Sequence, residues 1–113
     1  MSKREFETIE EGTTYSLPIW KVVDGKGIEL TGGFANLQFV RGSKIKNEDV
    51  EKKDGILHET LLAAIIVDLK FKNNLVPSRE TSLAITNLQQ ALHWMEERQK
   101  ERGDRNVGGT YKK

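Results

Sequence analysis

Apolar positions along this chain change character near its middle, from an extended, β-branched and aromatic pattern to recurrences at three and four residues. Met1 to Tyr15 is rich in Glu, Thr, Lys and Gly without a clear period and reads as a partly disordered arm, or at best an edge strand. From Leu17 onward, Ile19, Trp20, Val22 and Val23 mark a strand, Asp24-Gly25 is a turn dipeptide, and Ile28 to Leu30 resumes an extended segment. Together they predict a hairpin. Gly32-Gly33 punctuates the pattern, Phe34, Leu37, Phe39 and Val40 predict a further strand, and Arg41-Gly42-Ser43 turns into Lys44 to Lys46. The stretch from Asn47 to Gly55 is almost wholly charged and offers no core residue, so it reads as the loop between two halves.

Helical spacing begins after that loop. Leu61, Leu62, Ile65, Ile66 and Leu69 give a first helix, roughly Leu57 to Phe71, a wide apolar face. Asn73-Asn74 and Val76-Pro77 end it, because a residue before proline is pushed out of helical geometry. Ser78 is the expected N-cap of a second helix, with Glu80 in its first turn, and Gly103 supplies the stop after Arg102. On that helix Ala84, Leu88, Ala91 and Met95 form the apparent buried stripe, and Arg98 and Arg102 continue its register. At about 100° per residue, Arg102 lies only about 20° around the axis from Met95. The expected fold is therefore α+β, a small N-terminal antiparallel β-sheet followed by a C-terminal antiparallel helical hairpin. It is read as a single domain over residues 1–113, with the arm at 1–15, the sheet at 16–47, the hairpin at 56–103 and a packed tail at 104–113.

A chain of 113 residues makes a small core, and self-association is a common way to make up the shortfall. Lys and Arg number 18 against 17 Asp and Glu, so no global positive field draws in a nucleic-acid duplex, and any anion site must be local. The absence of cysteine removes disulfides, thiolate metal sites and cysteine nucleophiles, and fits a cytoplasmic protein. No apolar run reaches the eighteen or so residues of a membrane span, so no membrane partner is expected.

Catalytic patterns are missing. His58 and His93 stand at a helix start and in mid-helix, without a second histidine or an acidic pair at metal-ligand spacing, and read as surface or capping residues. The serines occur in no nucleophile elbow, and Thr31-Gly32-Gly33 lacks the helix and lysine of a phosphate loop. No enzyme is legible, and no cofactor is implied. The chemistry that does stand out is basic. Arg98, Arg102 and Arg105 follow one another at steps of four and three along one side of the helix end, where guanidinium forks bracket a phosphate well. The competing reading is that these cations complement the helix dipole and pair with Glu96, Glu97 and Glu101. The coda Arg105-Asn106-Val107-Gly108-Gly109-Thr110-Tyr111 favours the first, since paired glycines permit close backbone approach in a tail that folds back. Phe71 at the end of helix one and Arg79 at the start of helix two make either a stacking platform for a purine or ordinary hairpin packing. Lys44 and Lys46 are either a second cationic wall or surface lysines, while Trp20 and Trp94 read as core or interface.

The run from Asp54 to Asp68, the run from Ser78 to Trp94 with its Arg79-Glu80 opening and Ala91-Leu92-His93-Trp94 segment, and the ending from Arg98 to Tyr111 resemble a known family. That family is the helical-hairpin domain of phage anti-defence sponges, the Thoeris anti-defence proteins and their anti-CBASS relatives. The resemblance implies a binding protein without turnover, acting in the cytoplasm of an infected bacterial host. Such sponges capture cyclic ADP-ribose isomers made by TIR-domain proteins, and some members also hold cyclic trinucleotides at sites created by oligomerisation. Carried over, Phe71 would stack on adenine and Arg98 and Arg102 would grip phosphates, with Arg79, Thr81, Arg105 and Thr110 completing the ligand-binding set. Thr81 stands where relatives often have asparagine, so the ligand preference is expected to differ. The expected assembly is a homodimer or a dimer-built homohexamer.

Overall fold

In a computed structural model the described residues are 2–42 and 52–105, with side chains described through Glu101. They form three antiparallel strands followed by two helices, the expected α+β arrangement. The chain divides into two compact units, Met1–Ile56 and Leu57–Lys113.

The first unit is a meander in the order β1-β2-β3, with β1 at Glu7–Glu10, β2 at Thr14–Val23 and β3 at Gly27–Gln38. The edge strand β1 lies within the stretch read as an arm or at best an edge strand, and it pairs with β2 from Glu7↔Ser16 to Glu10↔Thr14. The turn between them is fixed by Thr13, fully buried, whose N–H donates to the Glu10 carbonyl at 3.1 Å while its own carbonyl accepts from Phe39 at 2.7 Å. Phe6, Tyr15 and Phe39 gather on one face with edge-to-face centroid distances of 5.7 and 6.0 Å, a geometry that suits the ring quadrupoles. Strands β2 and β3 turn at Asp24-Gly25 as expected, with Lys26 N–H donating to the Val23 carbonyl at 3.0 Å.

Gly32-Gly33 does not end a strand. The segments expected on either side of it are one continuous β3. Pairing shifts between Pro18↔Phe34 and Trp20↔Leu30, so that Ile19 alone faces Thr31, Gly32 and Gly33. Gly32 adopts φ +90°, a conformation glycine takes without a Cβ penalty, and the Thr31 hydroxyl accepts the Gly33 N–H at 3.0 Å. The glycines thus make a bulge. It lies opposite Pro18, where a residue without an N–H is best tolerated.

Past Gln38 the chain is held by residues from the far side of the charged loop. Phe39 and Ile56 form a parallel bridge, with Val40 N–H donating to the Ile56 carbonyl at 3.1 Å, and Arg41 and Lys53 exchange antiparallel bonds at 2.9 and 3.0 Å. Arg41 also donates to the Glu11 carbonyl at 2.7 Å and pairs with Glu10 at 3.5 Å, tying this bridge to the β1–β2 turn. Gly55 is what lets the segment approach so closely. A Cβ there would lie 2.4 Å from the Phe39 carbonyl carbon and 2.6 Å from the Gln38 oxygen, both backbone atoms. The charged stretch read as a featureless loop therefore ends in a docked segment, while residues 43–51, including Lys44 and Lys46, lie outside the described residues.

The second unit is the helical hairpin, α1 at His58–Leu75 and α2 at Arg79–Arg105. Helix α1 runs past its expected end at Phe71 because proline constrains only the residue before it, and Val76 is where the backbone leaves helical geometry. The inward stripe of α2 is Thr81, Ile85, Leu88, Leu92 and Met95, facing Leu62, Ile66, Leu69 and Asn73 of α1. Ala84 and Ala91, expected to be buried, are exposed. Both sets fit helical spacing, but burying Ile or Leu is worth about 1.5–3 kcal/mol per side chain against a single methyl group for Ala, so the branched residues take the seam. Ile66 and Ile85 are the only buried apolar side chains among the described residues.

Substituting Gly55→Ala should lower stability by about 1–3 kcal/mol in urea unfolding, because backbone atoms must shift to admit the methyl group. Gly42→Ala, with open space around it, should change stability by less than about 0.5 kcal/mol. On the hairpin, Ile85→Ala should cost about 2–5 kcal/mol, whereas Ala84→Ser should be nearly neutral in the same measurement.

Candidate functional site

Sequence and helix lengths decide where the chemically interesting residues fall. The hairpin tip is built by a network around Asn73. Its side-chain oxygen accepts the Ser78 N–H at 2.9 Å, and its amide donates to the Ser82 hydroxyl at 3.1 Å, so one side chain links the end of α1 to the start of α2. The Ser78 hydroxyl caps α2 by accepting the Thr81 N–H at 3.0 Å and donates to the Thr81 hydroxyl at 2.8 Å. Thr81 is therefore half-buried and already engaged as an acceptor, with its own hydroxyl hydrogen left to donate. Phe71, 63% exposed, and the exposed Arg79 belong to the same end of the hairpin. An apolar ring left this open on a stable helix is not a packing residue of its own hairpin.

Arg98 lies at the other end. It is exposed and, with Trp94, Glu97, Lys100 and Glu101, lines an open hollow of about 460 Å³. Among the described residues, no carboxylate comes within ion-pairing distance of its guanidinium. Glu97 and Glu101, expected rivals for that charge, leave it unpaired in this sense. The reason Arg98 stands clear is that α2 has 27 residues and α1 has 18, so α2 runs beyond the start of α1 by nine residues, about 13 Å. Arg102 and Arg105 continue that overhang in the backbone of α2, their side chains lying outside the described residues together with Thr110 and the tail.

Two groups thus emerge: Phe71, Arg79 and Thr81 at the tip, and Arg98 on the overhang. They are not brought together within one hairpin. From Arg79 to Arg98 is nineteen residues of continuous helix, about 28 Å, further than one cyclic mononucleotide reaches. Trp94, expected in a core or an interface, is not a core residue: it is 68% exposed and lies one turn before Arg98, where its ring meets His93 at 5.3 Å. Its spacing of four from Arg98 was the available signal that an aromatic plate and a guanidinium share one helix face. Asn73 gave no signal, since its partners became adjacent only once the hairpin closed.

Among the described residues no three His, Asp or Glu side chains are grouped to hold a metal ion, and no helix is long and apolar enough to cross a membrane. What the hairpin offers is exposed aromatic and cationic surface on a rigid frame. Comparison with known proteins places that frame. The family model described as the Acb2/Tad1 hairpin domain matches residues 41–100. This chain belongs to the Acb2/Tad1 hairpin-domain family. The match takes in the docked segment after β3, all of α1, and α2 through Lys100. A relative named Thoeris anti-defense 1, from Bacillus phage SBSphiJ7, is 41% identical to the chain over 61 residues. That match covers 53% of this chain and 43% of the relative, so the chain matches less than half of the relative's length.

Removing the Asn73 side chain should loosen the tip. Asn73→Ala deletes two hydrogen bonds and is expected to cost about 1–2 kcal/mol, and Ser78→Ala about 0.5–2 kcal/mol. Thermal unfolding followed by far-UV circular dichroism would register both, with native helix content kept below the transition.

Proposed function

We propose that this chain is a phage anti-defence protein that captures cyclic ADP-ribose-type signalling nucleotides, the products of Thoeris TIR-domain proteins, and holds them without cleavage. The observation that carries this reading is membership of the Acb2/Tad1 hairpin family together with 41% identity to a protein named for Thoeris anti-defence. The chemistry of the hairpin is in keeping with it. A cyclic ADP-ribose isomer presents a purine face and a pyrophosphate, which call for an aromatic plate and guanidinium donors. Phe71 with Arg79 and Thr81 offers the plate and a hydroxyl donor, and Arg98 with Arg102 offers the phosphate grip. Protein held in this way would act in the cytoplasm of the infected bacterium.

Because about 28 Å separates Arg79 from Arg98 along α2, one copy does not close a site that uses both groups. A second hairpin packed antiparallel against the first brings the tip of one copy beside the overhang of the other. The proposed site is therefore composite, and the working unit is a homodimer or an assembly of dimers. A second ligand class is favoured by one observation: the matched family model is shared between Acb2 and Tad1. Cyclic di- or trinucleotides would then be held where several copies of the Arg102, Arg105 and Thr110 segment gather.

Calorimetric titration with cyclic ADP-ribose isomers should give saturable heat, and denaturing the complex should return the ligand unchanged. No heat with any isomer overturns the reading, and ligand loss with time would make the protein an enzyme. Phe71→Ala and Arg98→Ala should each weaken binding by about ten- to a hundred-fold. Refolded together in equal amounts, the two variants should regain about a quarter of the wild-type sites, since random pairing leaves one intact site in half of the dimers. Recovery of none would show that Phe71 and Arg98 do not meet across copies. Cyclic trinucleotides titrated in parallel separate the two ligand classes.

A further inference from the structure

Trp94 has no part in the contacts proposed above. It stays out of the seam with α1, although the seam residues Leu92 and Met95 flank it in sequence. Its ring meets His93 at a centroid distance of 5.3 Å and an interplanar angle of 67°, an edge contact that restrains the indole without covering it. A lone exposed apolar side chain is ordinary on a protein surface, and what sets Trp94 apart is what stands beside it. Arg98 is one helical turn further on, about 6 Å along the axis and about 40° around it. The tilt of helical Cα–Cβ bonds toward the N-terminus sends its side chain back toward the indole. Among the described residues no carboxylate pairs with that guanidinium. Glu97 lies between the two along the axis, about 4.5 Å beyond Trp94. Indole, guanidinium and carboxylate open onto one hollow of about 460 Å³, whose walls Lys100 and Glu101 complete.

These surroundings decide what kind of partner the ring takes. Four charged side chains crowd it, and a dry protein surface laid over them would have to desolvate all four, whereas interface cores are depleted in Lys and Glu. A nucleotide makes no such demand. Its base stacks on an aromatic face, its phosphate takes guanidinium donors and its ribose hydroxyls donate to a carboxylate, so each part meets a group present in the hollow. The order along the helix matches as well: aromatic ring, carboxylate and guanidinium follow one another as base, ribose and phosphate do. The volume lies within the range of small-molecule sites.

We propose that Trp94 is a base-stacking residue of the nucleotide site, holding the purine whose phosphate Arg98 grips, with Glu97 accepting from the ribose. This inference rests on the nucleotide reading above but not on which copy supplies Phe71, because Trp94 and Arg98 belong to one helix of one copy. Where Phe71 of a second copy is brought beside Arg98, it reaches Trp94 as well, and the base is then held between two rings.

Indole fluorescence tests it, because stacking on a purine quenches the ring. The chain has two tryptophans, so Trp20→Phe leaves Trp94 as the sole reporter. Titrated with cyclic ADP-ribose isomers, this variant should lose emission with the same midpoint at which calorimetry records heat. Inorganic pyrophosphate, which has no base, should compete with the isomer and restore the emission. In the otherwise natural chain, Trp94→Ala should weaken binding about ten-fold or more, while Trp94→Phe, which keeps a flat ring, stays within about three-fold of wild type. Because the ring is exposed, Trp94→Ala should keep its thermal midpoint, which separates lost binding from lost fold. Saturable heat with unchanged Trp94 emission and undiminished affinity of Trp94→Ala overturns the assignment and leaves the nucleotide reading standing, whereas no heat with any isomer removes both. Emission already blue-shifted before ligand is added shows the ring covered by protein and likewise overturns it.

Discussion

Packing along one seam between α1 and α2 is the interaction on which the rest of the hairpin depends. Ile66 and Ile85 are its buried residues, and Leu62, Leu69, Leu88, Leu92 and Met95 fill it out at spacings of three and four. So narrow a seam leaves most of each helix surface free. Once the seam has claimed the branched residues of α2, Ala84, Ala91, Trp94 and Arg98 lie on its flanks, open to a partner or a ligand. At the tip, the Asn73 side chain on α1 accepts from the Ser78 N–H and donates to the Ser82 hydroxyl at the start of α2, which fixes the short connection without burying anything large. The hairpin is thus rigid and at the same time largely surface.

The sheet unit meets a similar shortage of core by other means. Its buried residues among those described are Thr13 and Ser16, not aliphatic ones. Order at the β1 end comes from directional contacts: the Thr13 turn, the Arg41 guanidinium on Glu10 and the Glu11 carbonyl, and the close backbone approach at Gly55. The far end of the β2–β3 pair lacks such devices. Its apolar residues, among them Leu17, Ile19, Val22, Ile28, Leu30 and Phe34, are exposed, so directional contacts at the other end carry the order of this unit. Both units therefore place apolar area where a single copy leaves it wet.

Legibility followed the range of the interactions involved. The hairpin turn at Asp24-Gly25 and the Ser78 cap were readable because each depends on neighbours within a few residues in sequence. The existence of two helices and their antiparallel connection followed from period and proline. Gly32-Gly33 was misread because a glycine pair marks both a turn and a bulge, and only the partner strand, with Pro18 and Ile19 opposite, decides between them. The stripe on α2 was placed one flank away from its true position since Ala84-Leu88-Ala91-Met95 and Ile85-Leu88-Leu92-Met95 both advance by threes and fours and share Leu88 and Met95. Side-chain volume, not period, separates them. The docking of the 53–56 segment was not legible because its partners Phe39 and Arg41 lie across the charged loop, and the bridging by Asn73 was not because Ser78 and Ser82 come within its reach only once the hairpin closes. Phe71 and Arg79 were rightly placed at one end of the hairpin, but the distance from them to Arg98 required counting α2 as one unbroken helix.

That distance bears on how a chain this small binds anything tightly. Capture demands several donors and a flat apolar surface fixed around one ligand, and ordering loose side chains at the moment of binding subtracts from affinity. A lone hairpin has the pieces but presents them at opposite ends of a rod about 40 Å long. Bending the rod would sacrifice helical hydrogen bonds, whereas pairing two rods head to tail costs only the freedom of the second copy. Val67, Phe71 and Leu75 form an exposed apolar stripe on α1, which such pairing would take out of water. On the proposed reading the same association would bury exposed apolar surface and assemble the donors, and would thereby couple oligomerisation to ligand capture through one set of helix flanks. Ligand added to a dilute solution should accordingly favour the paired state, by the same free energy with which pairing favours the ligand.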